Sequence, residues 1–337
     1  MNPLMRSLAI PAVLALPLAA QAPGRPPAPA AEGREVAFPG FNGFPLHGSV
    51  LAGGAHPYFA VMVADAGPTD RDWSNPRIPV PSHAGRAFAA WLQSLGIGSL
   101  RYDKRFIGSK DPKLDISLDA QTGDIKAAIA EARTLPEAKG KKILLVGHGE
   151  GALLSLVVAD RADAVLLLAM PGMSMGKLIQ ADVKRQLDAA GAPADASKTN
   201  MDYLDSVLEA IRRSQPLPKA PSGVAPGVVA LAQGLMRPET LGFVRDTLDL
   251  DPWAMAARLS EPSAIVWGDR DVQTWRPPTV PATYHGLVLD IPDANHQFKR
   301  ETRPRSELNG ASALTTYGDS TPMADLSPVA AWLETLK

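Results

Sequence analysis

The sequence predicts an α/β fold, a doubly wound, mostly parallel sheet with helices on both faces and a helical cap insertion. Three observations predict it. Short, continuous apolar runs at 58–64 and 164–169 read as strands covered on both faces, and further strand-length apolar runs stand at 143–146, 263–267 and 286–291. Segments of helical spacing separate most of them. Between 173 and 250 the strand rhythm stops and only helical spacing remains, at 178–187, 203–211, 228–235 and 241–248. These features divide the chain into a core, 34–172 and 251–337, and a helical cap, 173–250.

The chain has 337 residues, 45% of them hydrophobic, and a formal net charge of -1. That length supports one large α/β core with an insertion. A near-zero charge without long blocks of one sign argues against nucleic acid as a partner. Cysteine is absent, which excludes disulfides, thiolate nucleophiles and cysteine-ligated metals. Residues 1–22 read as a secretory signal peptide: Arg6 supplies the positive start, 8–20 is a short proline-interrupted apolar stretch, and Ala20-Gln21-Ala22 is a small-x-small cleavage site. A secreted or periplasmic location follows, with cleavage after Ala22 and no later apolar run of membrane length. Residues 23–33 read as a proline-rich linker.

The ordered part opens at Arg34 with a hairpin, 35–38 and 46–51, turning at Asn42-Gly43; His47 falls in its polar phase and is expected to face solvent. A buried strand at 58–64 runs into the turn-forming stretch 65–72. Helical spacing at 82–95 puts Ala84, Phe88, Trp91 and Leu92 on one side, with Ser82 as N-cap. A short strand follows at 98–102, then a helix over 117–135 with Ile125, Ala128, Ile129 and Ala132 inward. A last helix spans 327–336.

The chemistry centres on Lys142 to Leu154. An apolar run ends in the glycine-dense turn Gly147-His148-Gly149-Glu150-Gly151, and a helix-compatible segment follows at once. This is the layout of a nucleophile elbow, Gly-x-Ser-x-Gly, with glycine at the central position. Three more segments agree with it: Gly67-Pro68-Thr69-Asp70-Arg71-Asp72, Arg101-Tyr102-Asp103-Lys104-Arg105 and Asn295-His296-x-Phe298-Lys299. On these four, which span nearly all of the mature chain, the sequence resembles the α/β-hydrolase superfamily, in particular its secreted bacterial esterase and serine-aminopeptidase-like group.

The resemblance implies the order nucleophile, acid, histidine. The acid belongs after the next-to-last strand, where Gly268-Asp269-Arg270-Asp271 supplies it and the family's Gly-x-x-Asp spacing favours Asp271 over Asp269. The histidine belongs after the last strand, where His296 stands. A carboxylate on one ring nitrogen orients the imidazole and leaves the other free to take a proton. Alone, a loop histidine is usually a surface residue and an aspartate after glycine usually a turn; their order relative to the elbow assigns them. The oxyanion hole would use the backbone N–H groups of Glu150 and Ala66. Asp65-Ala66-Gly67 departs from the family's frequent Gly-Ser-Gly, and Asp65 is expected either to repel anionic substrates or to face solvent. His148 is expected to tuck beside its strand. His56, His83 and His285 lack acidic or histidine neighbours at ligand spacing, so neither a metal nor a cofactor is expected.

Gly149 cannot form an acyl-enzyme, and neither Ser155 nor Ser174 stands where it could replace a nucleophile. Glycine relieves the strain of the elbow and opens a space able to hold one water. Three alternatives stay open: a non-catalytic relative binding a small molecule or peptide under the cap, a His296–Asp271 dyad that activates water, or a variant of an ordinary serine esterase. All three take a small acyl ester or amide, or a related ligand. The expected behaviour is weak or absent turnover of ordinary esters, restored by Gly149→Ser.

Overall fold

The computed structural model describes residues 33–337 apart from 79, 110 and 112. The expected signal peptide and all but the last residue of the expected linker lie outside the described residues. Eight strands form one sheet: β1 (Arg34–Pro39), β2 (Pro45–Leu51), β3 (Tyr58–Val63), β4 (Gly98–Tyr102), β5 (Lys142–His148), β6 (Ala164–Leu168), β7 (Ser263–Gly268) and β8 (Leu287–Ile291). Their spatial order is β1-β2-β4-β3-β5-β6-β7-β8. The β1–β2 and β2–β4 pairs are antiparallel, and all others are parallel. β3, β5, β6 and β7 sit inside the sheet, and apart from Lys142 all their residues are buried. Covered on both faces, they have no reason to alternate apolar with polar.

Helix α1 (Ala84–Ser94) and the C-terminal helix Ser327–Glu334 cover one face. There Phe88, Leu92, Val329 and Leu333 pack with Ala60, Met62, Leu144 and Leu166. Helices α2 (Leu118–Thr134) and α3 (Glu150–Val157) cover the other, where Ile125, Ile129 and Leu154 meet Val61, Val63 and Leu145. Ser117 caps α2, accepting from the Ala120 N–H at 3.2 Å. The expected cap of α1 differs. His83, not Ser82, is the N-cap, in the left-handed region at φ 43°, while Ser82 turns its hydroxyl to Gln297. Tertiary contacts override local capping here: the His83 ring bonds Asp319 at 2.6 Å, and its N–H bonds Ser74 Oγ.

Between β6 and β7 the chain carries α4 (Met175–Ala189), α5 (Ala194–Arg212), α6 (Pro226–Leu235), α7 (Pro238–Thr247) and the short α8 (Pro252–Ala256). Helices α4 to α7 share a core of their own, including Ile179, Leu204, Leu208, Ile211, Leu235 and Val244. Phe243 of α7 reaches instead into the cluster under α2 and α3, which ties the insertion to the sheet. No helix among the described residues is long and apolar enough to cross a membrane.

One buried ion pair joins the antiparallel corner to the helical layer. Arg105 follows β4 and grips Asp124 of α2 with two bonds, Nε–Oδ2 at 2.7 Å and Nη2–Oδ1 at 2.6 Å. Both side chains are 3% exposed. Asp124 Oδ1 also accepts from the Phe41 N–H in the β1–β2 turn, at 2.9 Å. Removing one member strands the other charge in the interior. Asp124→Ala is therefore expected to lower the unfolding free energy by about 3–5 kcal/mol. Urea unfolding followed by circular dichroism measures this, and a change within about 0.5 kcal/mol, as for an ordinary surface site, would contradict it.

Candidate active site

The parallel strands deliver every candidate residue to one end of the sheet. Asp65 follows β3, Gly149 follows β5, Asp271 follows β7 and His296 follows β8. This is the carboxyl end, where open α/β sheets place ligand sites. Gly149 is the hinge between β5 and α3, at φ 57° and ψ -119°. A residue with a side chain is strained there by about 1–3 kcal/mol. The turn is pinned on both sides. The Gly149 N–H donates to Leu168 O at 2.9 Å, and Gly151 lies so close to β3 that a Cβ would stand 2.6 Å from the carbonyl oxygens of Val63 and Ala64.

A continuous chain of bonds crosses the site. Asp271 Oδ2 lies 2.9 Å from His296 Nδ1, and Thr274 Oγ1 lies 3.2 Å from the same nitrogen. Asp271 Oδ1 accepts from the N–H groups of Gln273 and Thr274, at 2.7 and 3.1 Å. On the far side of the ring, His296 Nε2 lies 3.0 Å from Asp65 Oδ2. Asp65 Oδ1 in turn accepts from the Glu150 N–H at 2.8 Å. Lys104 Nζ donates to the Asp65 main-chain carbonyl. His148 is fully buried, stacked on Trp73 with ring centres 4.5 Å apart, and its Nε2 donates to the His296 carbonyl at 2.8 Å.

Asp65 changes four expectations. It neither faces solvent nor stands off as a repulsive charge; its carboxylate turns inward, with 21% of the side chain exposed. The space opened by Gly149 holds this carboxylate in place of the expected water. A Cβ on residue 149 would overlap Asp65 Oδ1 and Cγ and stand 2.9 Å from Oδ2. The Glu150 N–H, expected to wait for an oxyanion, is already bonded to Asp65. Nor is His296 Nε2 open toward a substrate, because it is hydrogen-bonded to Asp65. Ala66 lies on the same loop, its carbonyl accepting from Thr69 Oγ1 at 2.7 Å. The physical reason is common to all four: the space depends on residue 149, 84 positions away from Asp65 in the chain.

The electrostatics follow from two carboxylates flanking one imidazole. Burial disfavours a charged His296, but the charges and hydrogen bonds of Asp271 and Asp65 outweigh it and push its pKa up to about 10. The imidazole is therefore a cation at neutral pH. Burial would raise Asp65, yet its bond to His296, the charge of His296 and the Glu150 N–H hold it well below the usual carboxylate range. Asp271 is lowered in the same way against its own burial. Burial and the nearby His296 cation push His148 down to about 4, leaving it neutral. Burial raises the Glu150 carboxyl and lowers the Lys104 ammonium, each opposed by the other's charge.

Three side chains, Asp65, His148 and His296, also bring potential metal-ligand atoms within 4.8 Å of one another. The expectation of no metal weighed His56, His83 and His285 by their sequence neighbours, and these three meet only in the fold. Sequence reasoning also missed Lys104, Trp73 and Thr274. The available signal was the pairing of Asp65 with Gly149, two departures from one family pattern.

The pH dependence has a definite sign. His296 is raised in the folded state, so its stabilising contribution is fully present below its ordinary value of 6.5 and is lost as pH rises through about 10. Asp65 and Asp271 are lowered, so theirs is present above the usual carboxylate range and lost as pH falls through their folded values. The thermal midpoint is expected to fall from pH 6.5 to 10, with NMR showing the His296 ring titrating near the top of that window. Asp65→Asn should move that titration downward; an unshifted ring would contradict the bond between them.

No protein-family model matches the chain. It is 28% identical over 236 residues to esterase EstD of Thermotoga maritima, a match covering 69% of this chain and 51% of that protein. It is 36% identical over 86 residues to the polyketide transferase ATR5 of Stachybotrys chlorohalonatus, covering 24% of this chain and 29% of that one. The chain thus spans about half or less of the curated relatives it matches. Among solved structures, the proline iminopeptidase of Mycobacterium smegmatis superposes with a TM-score of 0.51 at 13% identity, covering 90% of this chain and 98% of that one. With its sheet order, its strand-to-helix elbow and these similarities, the chain has the α/β-hydrolase fold.

Proposed function

We propose that this chain is an esterase-like α/β-hydrolase-fold protein whose route through an acyl-enzyme at residue 149 is closed. It takes a small acyl ester or amide, and turnover of ordinary esters is weak or absent. One observation carries the reading: the Asp65 carboxylate lies where a nucleophile's side chain would stand, bonded to the Glu150 N–H and to His296 Nε2. A carbonyl oxygen seeking that N–H must first displace a charge-assisted bond, which is stronger than the one it would form. The alternative in which His296 and Asp271 activate water as a base has less support, since the imidazole is protonated at neutral pH. The similarity to EstD supports ester chemistry as the ancestral activity. The leader-like residues 1–22 support export, with cleavage after Ala22.

The test is covalent labelling by a fluorophosphonate, together with p-nitrophenyl ester assays. The chain as it stands is expected to remain unlabelled. Gly149→Ser alone should stay close to that baseline, because its side chain and the Asp65 carboxylate compete for one space. The double variant Gly149→Ser/Asp65→Gly should label and hydrolyse, and lose both on adding His296→Ala. Rapid turnover by the unmodified chain with an initial burst, abolished by His296→Ala, would sink the proposal. Full labelling of Gly149→Ser alone would remove Asp65 as the obstruction.

A further inference from the structure

The cluster at the centre of the site has a property that ester chemistry does not use. Its two imidazoles each commit one nitrogen to an outer acceptor. His296 Nδ1 faces Asp271 Oδ2 at 2.9 Å, and His148 Nε2 faces the His296 carbonyl at 2.8 Å. A carbonyl oxygen can only accept, so His148 Nε2 carries the proton and the neutral ring's Nδ1 holds a bare lone pair. That Nδ1 is buried and has no hydrogen-bond partner among the described residues. A buried polar atom left unpaired in this way calls for an explanation, an unplaced ion among them.

We propose that Asp65, His148 and His296 form a binding site for a divalent first-row transition ion, Zn²⁺ foremost, held by one carboxylate oxygen and two imidazole nitrogens. The donor set is right for such an ion: two imidazoles and one carboxylate, leaving a position open to water. The spacing is near what it needs. The three ligand atoms lie within 4.8 Å of one another, with Asp65 Oδ2 and His296 Nε2 3.0 Å apart. Bonds of about 2.0–2.1 Å around a tetrahedral zinc put ligand atoms about 3.3 Å apart, so the carboxylate and the His296 ring separate by a few tenths of an ångström and the His148 nitrogen, within 4.8 Å of both, closes by up to about 1.5 Å. The ion takes the place of the proton these two groups share. The outer shell is also present. A carboxylate behind one ligating imidazole and a carbonyl behind the other fix which nitrogens face the ion. Two carboxylates, Asp65 and Asp271, offset its charge. The 21% exposure of the Asp65 side chain gives it an entry.

This inference is independent of the esterase-like reading, and its test uses no substrate. The full chain, stripped of metal with a chelator and dialysed, is titrated with Zn²⁺ by calorimetry and with Co²⁺ by visible absorption. One ion per chain is expected, with a higher thermal midpoint and the visible bands of a four- or five-coordinate Co²⁺ site. Asp65→Asn and His296→Gln should each weaken Zn²⁺ binding by roughly 100-fold, and Asp271→Asn, which acts behind a ligand, by roughly 10-fold. His148 is packed against Trp73 and its replacement can fail to fold, so the Asp65 and His296 variants decide, each checked for a folded circular dichroism spectrum without metal. No binding by the unmodified chain overturns the proposal, and so does binding of equal affinity in both folded variants.

Discussion

The site depends on an exclusion: the Asp65 carboxylate and a side chain at residue 149 cannot occupy the same space. Gly149 holds a backbone conformation that strains any other residue, and it leaves a polar gap beside the Glu150 N–H and His296 Nε2. An empty gap there would leave a donor of the main chain unpaired, which folded proteins avoid. Asp65 closes it with one group that serves both donors. Asp65 and Gly149, far apart in the chain, therefore act as one structural unit.

From that placement follows the charge state of the whole cluster. Two carboxylates on one ring hold an imidazolium between them. Each anion is kept ionised by the cation and by main-chain N–H groups: Glu150 for Asp65, Gln273 and Thr274 for Asp271. Such a group is stable only when complete, because removing one member leaves buried charge without compensation. His148 completes the cluster without adding charge. It is held neutral by burial, braced by Trp73, and supports the His296 backbone from behind.

The scaffold does not depend on this arrangement. The buried strands, the two helical layers and the separate core of the insertion do not use the residue 149 side chain. What they need from the elbow is glycine at its flank, where α3 lies against β3. The candidate site and the packing therefore rest on different residues within five consecutive positions, 147–151.

The sequence by itself determined the architecture and three members of the candidate site. Apolar runs such as 58–64 and 143–146 could only be strands buried on both faces, and the change of rhythm at 173–250 marked the helical segment that α4 to α7 fill. The order elbow, acid, histidine singled out Gly149, Asp271 and His296, because chain order survives in the order of strand ends. Tertiary structure alone decided what these residues do to one another. The hydroxyl of Ser82 was displaced as a helix cap by His83, whose partner Asp319 is 236 positions away. Asp65 read as a loop acid, because a local reading cannot see that residue 149 vacates the space it fills. His148 read as a strand-end residue, because neither its stacking on Trp73 nor its proximity to His296 and Asp65 leaves a local trace. Periodicity and order are local properties and are written along the chain; the sharing of one small volume by side chains from different strand ends is not.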